Sequence, residues 1–225
     1  TVPPIAIMMV QHPNFGKYDL SSLRLVFAGA ATWTYSMAME VQRKLGCVVM
    51  HGFGAVDMGF GPMPRLENPP EERLLTVGKP LVGGNFKIVD SQGNQLPHGQ
   101  GGELIGGGPC ASSGYFKDPE ATRQAWTVDG WYQTGDMAKF DDKGNLVIVG
   151  RIKDMILRGG QNIYPIEIEN LLVTHPKVKD CAIVAMPDPV LGEKACAYIV
   201  PQAGESITFE DIVSFLRAKH IASYK

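Results

Sequence analysis

Glycine placement limits what this chain can fold into more than any other feature. Among the glycines between residues 76 and 149, Gly93, Gly99, Gly101-Gly102, Gly106-Gly107-Gly108 and Gly144 punctuate short β-type runs at 86–89, 103–105 and 145–149. Such punctuation predicts a small barrel or curled sheet. The flanks are written differently. Over residues 1–60 an apolar run at 4–10, a buried-strand run at 23–28, a helical pattern at 35–45 and a strand-like run at 47–50 make an α/β pattern. The proline-rich stretch 59–74, with Gly61-Pro62-Met63-Pro64 and Pro69-Pro70, reads as a loop. Beyond Arg151 a third style predicts a helix at 165–174, strands at 178–185 and 195–200, and a final helix from about Thr208. There Phe209, Ile212, Val213 and Leu216 take the spacing of one apolar face and Thr208 suits the N-cap. The change of style places a domain boundary at 152–154.

Both α/β strands run directly into small residues. The run at 23–28 opens into Gly29-Ala30-Ala31, and the run at 47–50 into His51-Gly52-Phe53-Gly54. Ligands collect at the carboxyl ends of strands in open α/β sheets, so these turns are expected to wall one cleft.

Composition narrows the function. The 225 residues are 44% apolar and 20% charged with a net charge of -2, an ordinary globular mix able to bury a substantial core. There is no block of lysine and arginine, which argues against nucleic acid. No apolar run is long enough for a membrane span, and residues 1–10 lack the basic flank and cleavage pattern of a secretion signal. Cys47, Cys110, Cys181 and Cys196 are scattered without a C-x-x-C pair, and the five histidines show no metal-ligand spacing. A reducing, cytoplasmic setting fits best. Without a G-x-S-x-G elbow, hydrolase readings lose their usual support.

The segments that carry chemistry come in order. Trp131-Tyr132-Gln133-Thr134-Gly135-Asp136 puts a carboxylate just after a glycine, able to accept both hydroxyls of a ribose. Gly150-Arg151-Ile152-Lys153-Asp154 follows, then Arg158-Gly159-Gly160-Gln161-Asn162-Ile163-Tyr164-Pro165. Singly, each is weak, since a lone Thr-Gly-Asp is more often an ordinary turn. With His51-Gly52-Phe53-Gly54-Ala55-Val56-Asp57, Gly101-Gly102-Glu103-Leu104 and Pro119-Glu120-Ala121-Thr122 they resemble, in order and spacing, the core motifs of the adenylate-forming superfamily. That superfamily includes acyl- and aryl-CoA synthetases and the adenylation domains of peptide synthetases.

The resemblance implies an α/β plus β-barrel portion of the family's large AMP-binding domain over residues 1–151, α/β over 1–60 and barrel-like over 75–150. A small mobile α+β C-terminal domain, truncated, would occupy 152–225. It implies ATP or AMP, magnesium and coenzyme A as cofactors, and a small carboxylic acid, fatty or aryl, as substrate; a homo-oligomer stays open as a partner state. Carried over by position, Asp136 would hold the ribose hydroxyls and Arg151 the ribose or adenylate phosphate. Phe53 would lie on the adenine face, Gly29, Ala30 and Gly52 would line its slot, and Ile148 would supply an apolar edge. Asp57 would stand where the family holds magnesium with glutamate, and Val56 where many members place threonine. Met58, Gly59 and Phe60 would line the acyl pocket, with plain core packing an equal alternative. Gly159 and Gly160 would border the thiol tunnel.

The family's phosphate loop would precede residue 1, and its catalytic lysine would follow the Ala222-Ser223-Tyr224-Lys225 ending, so Lys225 does not take that role. The chain alone is then expected to be inactive. The rival readings are an aryl-acid or amino-acid adenylation enzyme that loads a carrier-protein thiol, and a non-catalytic nucleotide-binding or interaction module. Lys153 matches the hinge about which the small domain turns between the two half-reactions. Replacing Lys153 with proline in the complete protein should impair thioester formation while sparing adenylate formation; equal loss of both in separate half-reaction assays counts against the hinge.

Overall fold

The computed structural model describes residues 1–31 and 33–222, the side chain of Phe60 excepted. They divide into two compact units, residues 1–148 and 149–225. The division falls within a strand, ahead of the boundary that the change of style suggests.

The first unit begins with helix α1 (Pro3–Gln11), strand β1 (Leu25–Ala28), helix α2 (Tyr35–Leu45) and strand β2 (Val48–His51). The bounds of α2 follow from its ends: the Thr34 hydroxyl accepts the Met37 amide as N-cap, and Gly46 leaves in the left-handed conformation at φ 65°. Its buried residues, Ala38, Val41 and Leu45, recur at helical spacing. They pack with Ala6, Val10, Trp33, Val49 and Leu74 into one core. β1 and β2 run parallel, Leu25 opposite Val48 and Ala28 opposite His51.

Next come the short pair β3 (Gly54–Ala55) and β4 (Gly59–Phe60), then helix α3 (Pro70–Leu75). The stretch 59–74 therefore ends in a helix and is not loop throughout. Pro69 and Pro70 sit at the N-cap and first helical positions, where a missing N–H costs nothing. Arg73 of α3 is a buried charge, 6% exposed. Its guanidinium donates to the Val49 carbonyl on β2, to Gln42 Oε1 on α2 and to the Asn68 carbonyl.

The glycine-punctuated region supplies β5 (Asn85–Val89), β6 (Gly102–Gly107), helix α4 (Pro119–Ala125), β7 (Tyr132–Phe140) and β8 (Leu146–Arg151). The strands form one sheet in the order β5-β6-β7-β8, antiparallel from β5 to β7. Of the expected barrel or curled sheet, the described residues build this open four-stranded sheet without closure. Its core is Val77, Ile88, Leu104, Ala138 and Leu146, with Phe53, Phe86 and Ile148 packed against it.

The second unit holds β9 (Ile156–Arg158), β10 (Gln161–Ile163), helix α5 (Pro165–Leu172), the long hairpin β11 (Val178–Asp188) and β12 (Gly192–Pro201), and helix α6 (Phe209–Ala218). Its sheet runs β10-β9-β12-β11. Pro187 is tolerated because β11 lies at the edge, where a strand can lose a donor. Thr208 caps α6 reciprocally with Asp211. Phe209 departs from the expected apolar face: at the first position of α6 it lies beyond the core and is 77% exposed. Ile212, Phe215 and Leu216 pack instead against Ile156, Ile163, Ile168 and Leu172. Among the described residues no helix is long and apolar enough to cross a membrane.

All three tryptophans, Trp33, Trp126 and Trp131, belong to the first unit, so their fluorescence reports its unfolding alone. Arg73→Met should lower that unit's stability in urea by about 2–4 kcal/mol, because the buried carbonyl of Val49 and the half-buried one of Asn68 lose their donor.

Candidate nucleotide site

Register at the ends of β1 and β2 builds the candidate site. Ala28 pairs with His51, and the Gly52 amide donates to the Ala28 carbonyl at 2.9 Å, so Gly29 and Gly52 leave their strands side by side. Neither tolerates a side chain. A Cβ on Gly29 would stand 2.8 Å from the Gly52 carbonyl oxygen, and one on Gly52 would stand 1.8 Å from the Phe27 ring. Ala30 follows at φ 66°, a left-handed conformation that costs a non-glycine residue on the order of 1–3 kcal/mol and persists only where the surroundings enforce it. Thr32, next to this turn, lies outside the described residues. The His51 ring is buried with Nε2 3.3 Å from the Ala31 carbonyl; burial draws its pKa below the ordinary histidine value and favours the neutral ring.

Phe53 continues from Gly52 and is half-buried against the apolar cluster that also holds Ile148. The adenine face and the apolar edge expected from the sequence thus share one cluster. Gly61 donates to the Phe53 carbonyl at 3.2 Å, and a Cβ on Gly61 would stand 2.3 Å from that oxygen.

Asp136 is 7% exposed. Pairing with Gly106 and Gly102 sets Tyr132 and Ala138 on one face of β7, and the register shifts between them, where Thr134 and Asp136 lie. The Asp136 amide donates to Thr134 Oγ1 at 3.0 Å, and the Thr134 hydroxyl donates to the Leu104 carbonyl at 2.7 Å, so the carboxylate rides on a backbone fastened to β6. Gly135 between them is left-handed at φ 68°.

Strand β7 also carries a link that the sequence reading missed. Tyr132 Oη donates to Asp57 Oδ2 at 3.1 Å, and the Ser112 amide donates to the Asp57 carbonyl at 2.8 Å. Trp126 packs against both Tyr132 and Tyr115, its ring centroid 5.0 Å from the first and 5.1 Å from the second. Burial, then the hydrogen bond to Asp57 and its negative charge, push the Tyr132 hydroxyl up to about 12. No local pattern signals the pair, since Asp57 and Tyr132 lie 75 residues apart.

Among the described residues no three His, Cys, Asp or Glu side chains group as a metal cage. Asp57 fits magnesium in the way that ion is commonly held, through one or two carboxylates with the rest of its shell from water and substrate phosphates. Its carboxylate already takes the Tyr132 hydroxyl on Oδ2 and interacts with the Tyr115 hydroxyl, so a cation would share it with both tyrosines.

The residues expected at the acyl pocket are dispersed in character. Met58 is 4% exposed, and a Cβ on Gly106 would stand 2.7 Å from its sulfur, so it packs in the core. Gly59, at φ 76°, abuts Cys110. The Phe60 side chain lies outside the described residues.

In the second unit, Arg151 ends β8 and is exposed, and Lys153 is exposed within a 3₁₀ turn at 152–154. Gly159 and Gly160 connect β9 to β10, both left-handed, at φ 56° and 84°. Lys225 lies outside the described residues.

Comparison with known proteins identifies the family of the chain. Residues 1–116 match the family model described as AMP-binding enzyme, and residues 167–225 the model described as AMP-binding enzyme C-terminal domain. Pyochelin synthase PchD of Pseudomonas aeruginosa is 39% identical over 225 residues, 100% of this chain and 41% of that protein. A medium-chain fatty-acid–CoA ligase of Escherichia coli is 38% identical over 208 residues, 92% of this chain and 37% of that protein. The amide bond synthetase McbA of Marinactinospora thermotolerans superposes with a TM-score of 0.87 at 33% identity, covering 97% of this chain and 44% of that one. The chain thus spans less than half the length of the relatives it matches.

Coupling between Tyr132 and Asp57 is measurable. An ultraviolet pH titration should show one tyrosine ionising near 12, absent in Tyr132→Phe and moved toward the ordinary tyrosine value in Asp57→Asn. The unfolded chain loses that proton at about 10, so the contribution of Tyr132 to stability is complete below pH 10 and falls away between about 10 and 12.

Proposed function

Because this chain belongs to the AMP-binding enzyme family, we propose that it is the carboxyl-side part of an ATP-dependent acid ligase that makes an acyl-adenylate and passes the acyl group to a thiol. The observation that carries the reading is the pair of strand-end turns at Gly29 and Gly52. Two parallel strands deliver bare backbone to one place, with Phe53 beside it. A neutral base is best held by such a shelf, where stacking and backbone groups do the work and side chains would intrude.

In this reading Gly29, Ala30, Gly52, Phe53 and Ile148 receive adenine. Asp136 accepts the two ribose hydroxyls, and Arg151 pairs with the ribose or the phosphate. The Thr134 anchor keeps the Asp136 backbone in place, so little ordering remains to be done when nucleotide arrives. A carboxylate oxygen of the acid attacks the α-phosphorus, and pyrophosphate leaves with the electrons of the broken P–O bond. A thiol sulfur then attacks the acyl carbon. AMP departs with the electrons of the C–O bond, and the thiol proton passes to solvent. Asp57, steadied by Tyr132, would hold magnesium, which offsets phosphate charge during the first step. Met58, Gly59 and Phe60 are the proposed edge of the acid pocket, and an apolar acid, fatty or aryl, suits them.

Lys153 is the proposed hinge, and the Gly159-Gly160 turn the wall along which the thiol arm passes. Coenzyme A is the proposed acceptor, with a carrier-protein thiol as the rival. The phosphate loop and the acyl-phosphate lysine of the family have no counterpart among the motifs of this chain, so this chain alone should give no turnover.

ATP–pyrophosphate exchange in a full-length protein carrying this sequence tests the reading. Exchange should require a carboxylic acid, and Asp136→Asn should reduce it about a hundredfold through weaker nucleotide binding. Nucleotide binding without any acid-dependent exchange would instead support a binding module.

A further inference from the structure

The two glycines at the proposed thiol wall form a shaped turn with a backing. Arg158 pairs with Gln161 across it, and left-handed backbone at both connecting positions makes the two-residue hairpin turn that glycine enters most easily. Bare glycine carries a penalty as a wall, since with no side chains its place is set by backbone alone and its conformational freedom is large.

A second hairpin supplies the missing constraint. The tip joining β11 to β12 is fastened to the turn: the Gly159 amide donates to the Leu191 carbonyl at 2.8 Å. A Cβ on Gly159 would stand 3.3 Å from Leu191 Cδ2, so the leucine side chain backs the turn directly. Glu193 Oε2 accepts the Leu157 amide at 2.8 Å, and Gly192 pairs with Arg158. The tip is itself tied down by Asp188. Its Oδ1 accepts the amides of Val190 at 3.0 Å and Leu191 at 2.9 Å, and its other oxygen pairs with Lys194 at 2.9 Å. The lysine bond first, and then the two amides, hold the Asp188 carboxyl down to about 2, so the clamp is charged at any working pH. Leu191 is not among the apolar core residues of this unit and packs on the turn instead.

We infer that Leu191, fixed by Asp188, is a positioning residue for thiol transfer, holding the Gly159-Gly160 turn where the acceptor's pantetheine arm must pass. The inference rests on the proposed role of that turn. A slender arm tolerates little misplacement, because a shift of about 1 Å in a positioning group can cost on the order of a hundredfold in rate. Adenylate formation does not use the turn and is insensitive to it.

Two measurements test this. In the 225-residue chain, Leu191→Ala should speed hydrogen exchange at the Gly159 amide about tenfold while leaving the buried Ile163 amide unchanged, the mark of local loosening without global unfolding. Unchanged exchange at Gly159 overturns the clamp. In a full-length protein carrying this sequence, acid-dependent ATP–pyrophosphate exchange is compared with acyl transfer to coenzyme A and to a pantetheine-loaded carrier. Leu191→Ala and Asp188→Asn should keep exchange within about twofold, lower transfer about tenfold and raise KM for the thiol, with Leu191→Met restoring most of it. Equal loss of exchange and transfer overturns the proposal. Gly160→Asn separates it from the reading beneath it, since asparagine tolerates the left-handed turn yet adds a side chain. Normal transfer in Gly160→Asn, or no transfer to either thiol by the parent, removes the reading of the turn and the proposal with it. Impaired transfer in Gly160→Asn with normal transfer in Leu191→Ala and Asp188→Asn removes the proposal alone.

Discussion

Parallel pairing of β1 with β2 is the constraint on which the first unit turns. With Ala28 opposite His51, both strands end at the same level, and the two residues that follow have no room for a Cβ, Gly29 against the Gly52 carbonyl and Gly52 against the Phe27 ring. A slip of one residue would turn every side chain of the moved strand over and drive Val49 out of the core. Register, core burial and the shape of the shelf are thus one condition. Arg73 reinforces it from behind, since a single guanidinium binds the backbone of β2 to α2 and to the segment leading into α3.

The open sheet contributes in a different way. One face of β6 and β7 fills the core with Leu104 and Ala138, and Tyr132, Thr134 and Asp136 lie along β7 beside it. Polar groups there are affordable because each finds a partner: Thr134 reaches the Leu104 carbonyl and Tyr132 reaches Asp57.

Much of the local structure was legible in the sequence, for identifiable reasons. The bounds of α2 could be read because Thr34 and Gly46 mark its ends, and the start of α6 because Thr208 and Asp211 form a capping pair. The helix at α3 was hidden by Pro69 and Pro70, which signal a loop until it is seen that they occupy positions where a helix accepts proline. Phe209 had the right spacing for the apolar face but the wrong height on the helix, since its first position reaches past the edge of the core. Spacing describes an angle around a helix and not the extent of what the helix packs on.

The sequence by itself determined the family and the small residues that end β1 and β2, because each is a matter of residue type in local order. Gly52 and Asp136 announce themselves by what they are and what they follow. Only tertiary structure decided which distant groups meet. Asp57 with Tyr132, Arg73 with Val49, and Leu191 with Gly159 join residues far apart in the chain, and their meeting depends on strand register and hairpin docking. Local propensity says nothing about such contacts, since their geometry is set by which strands become neighbours and by how far one is shifted along the other.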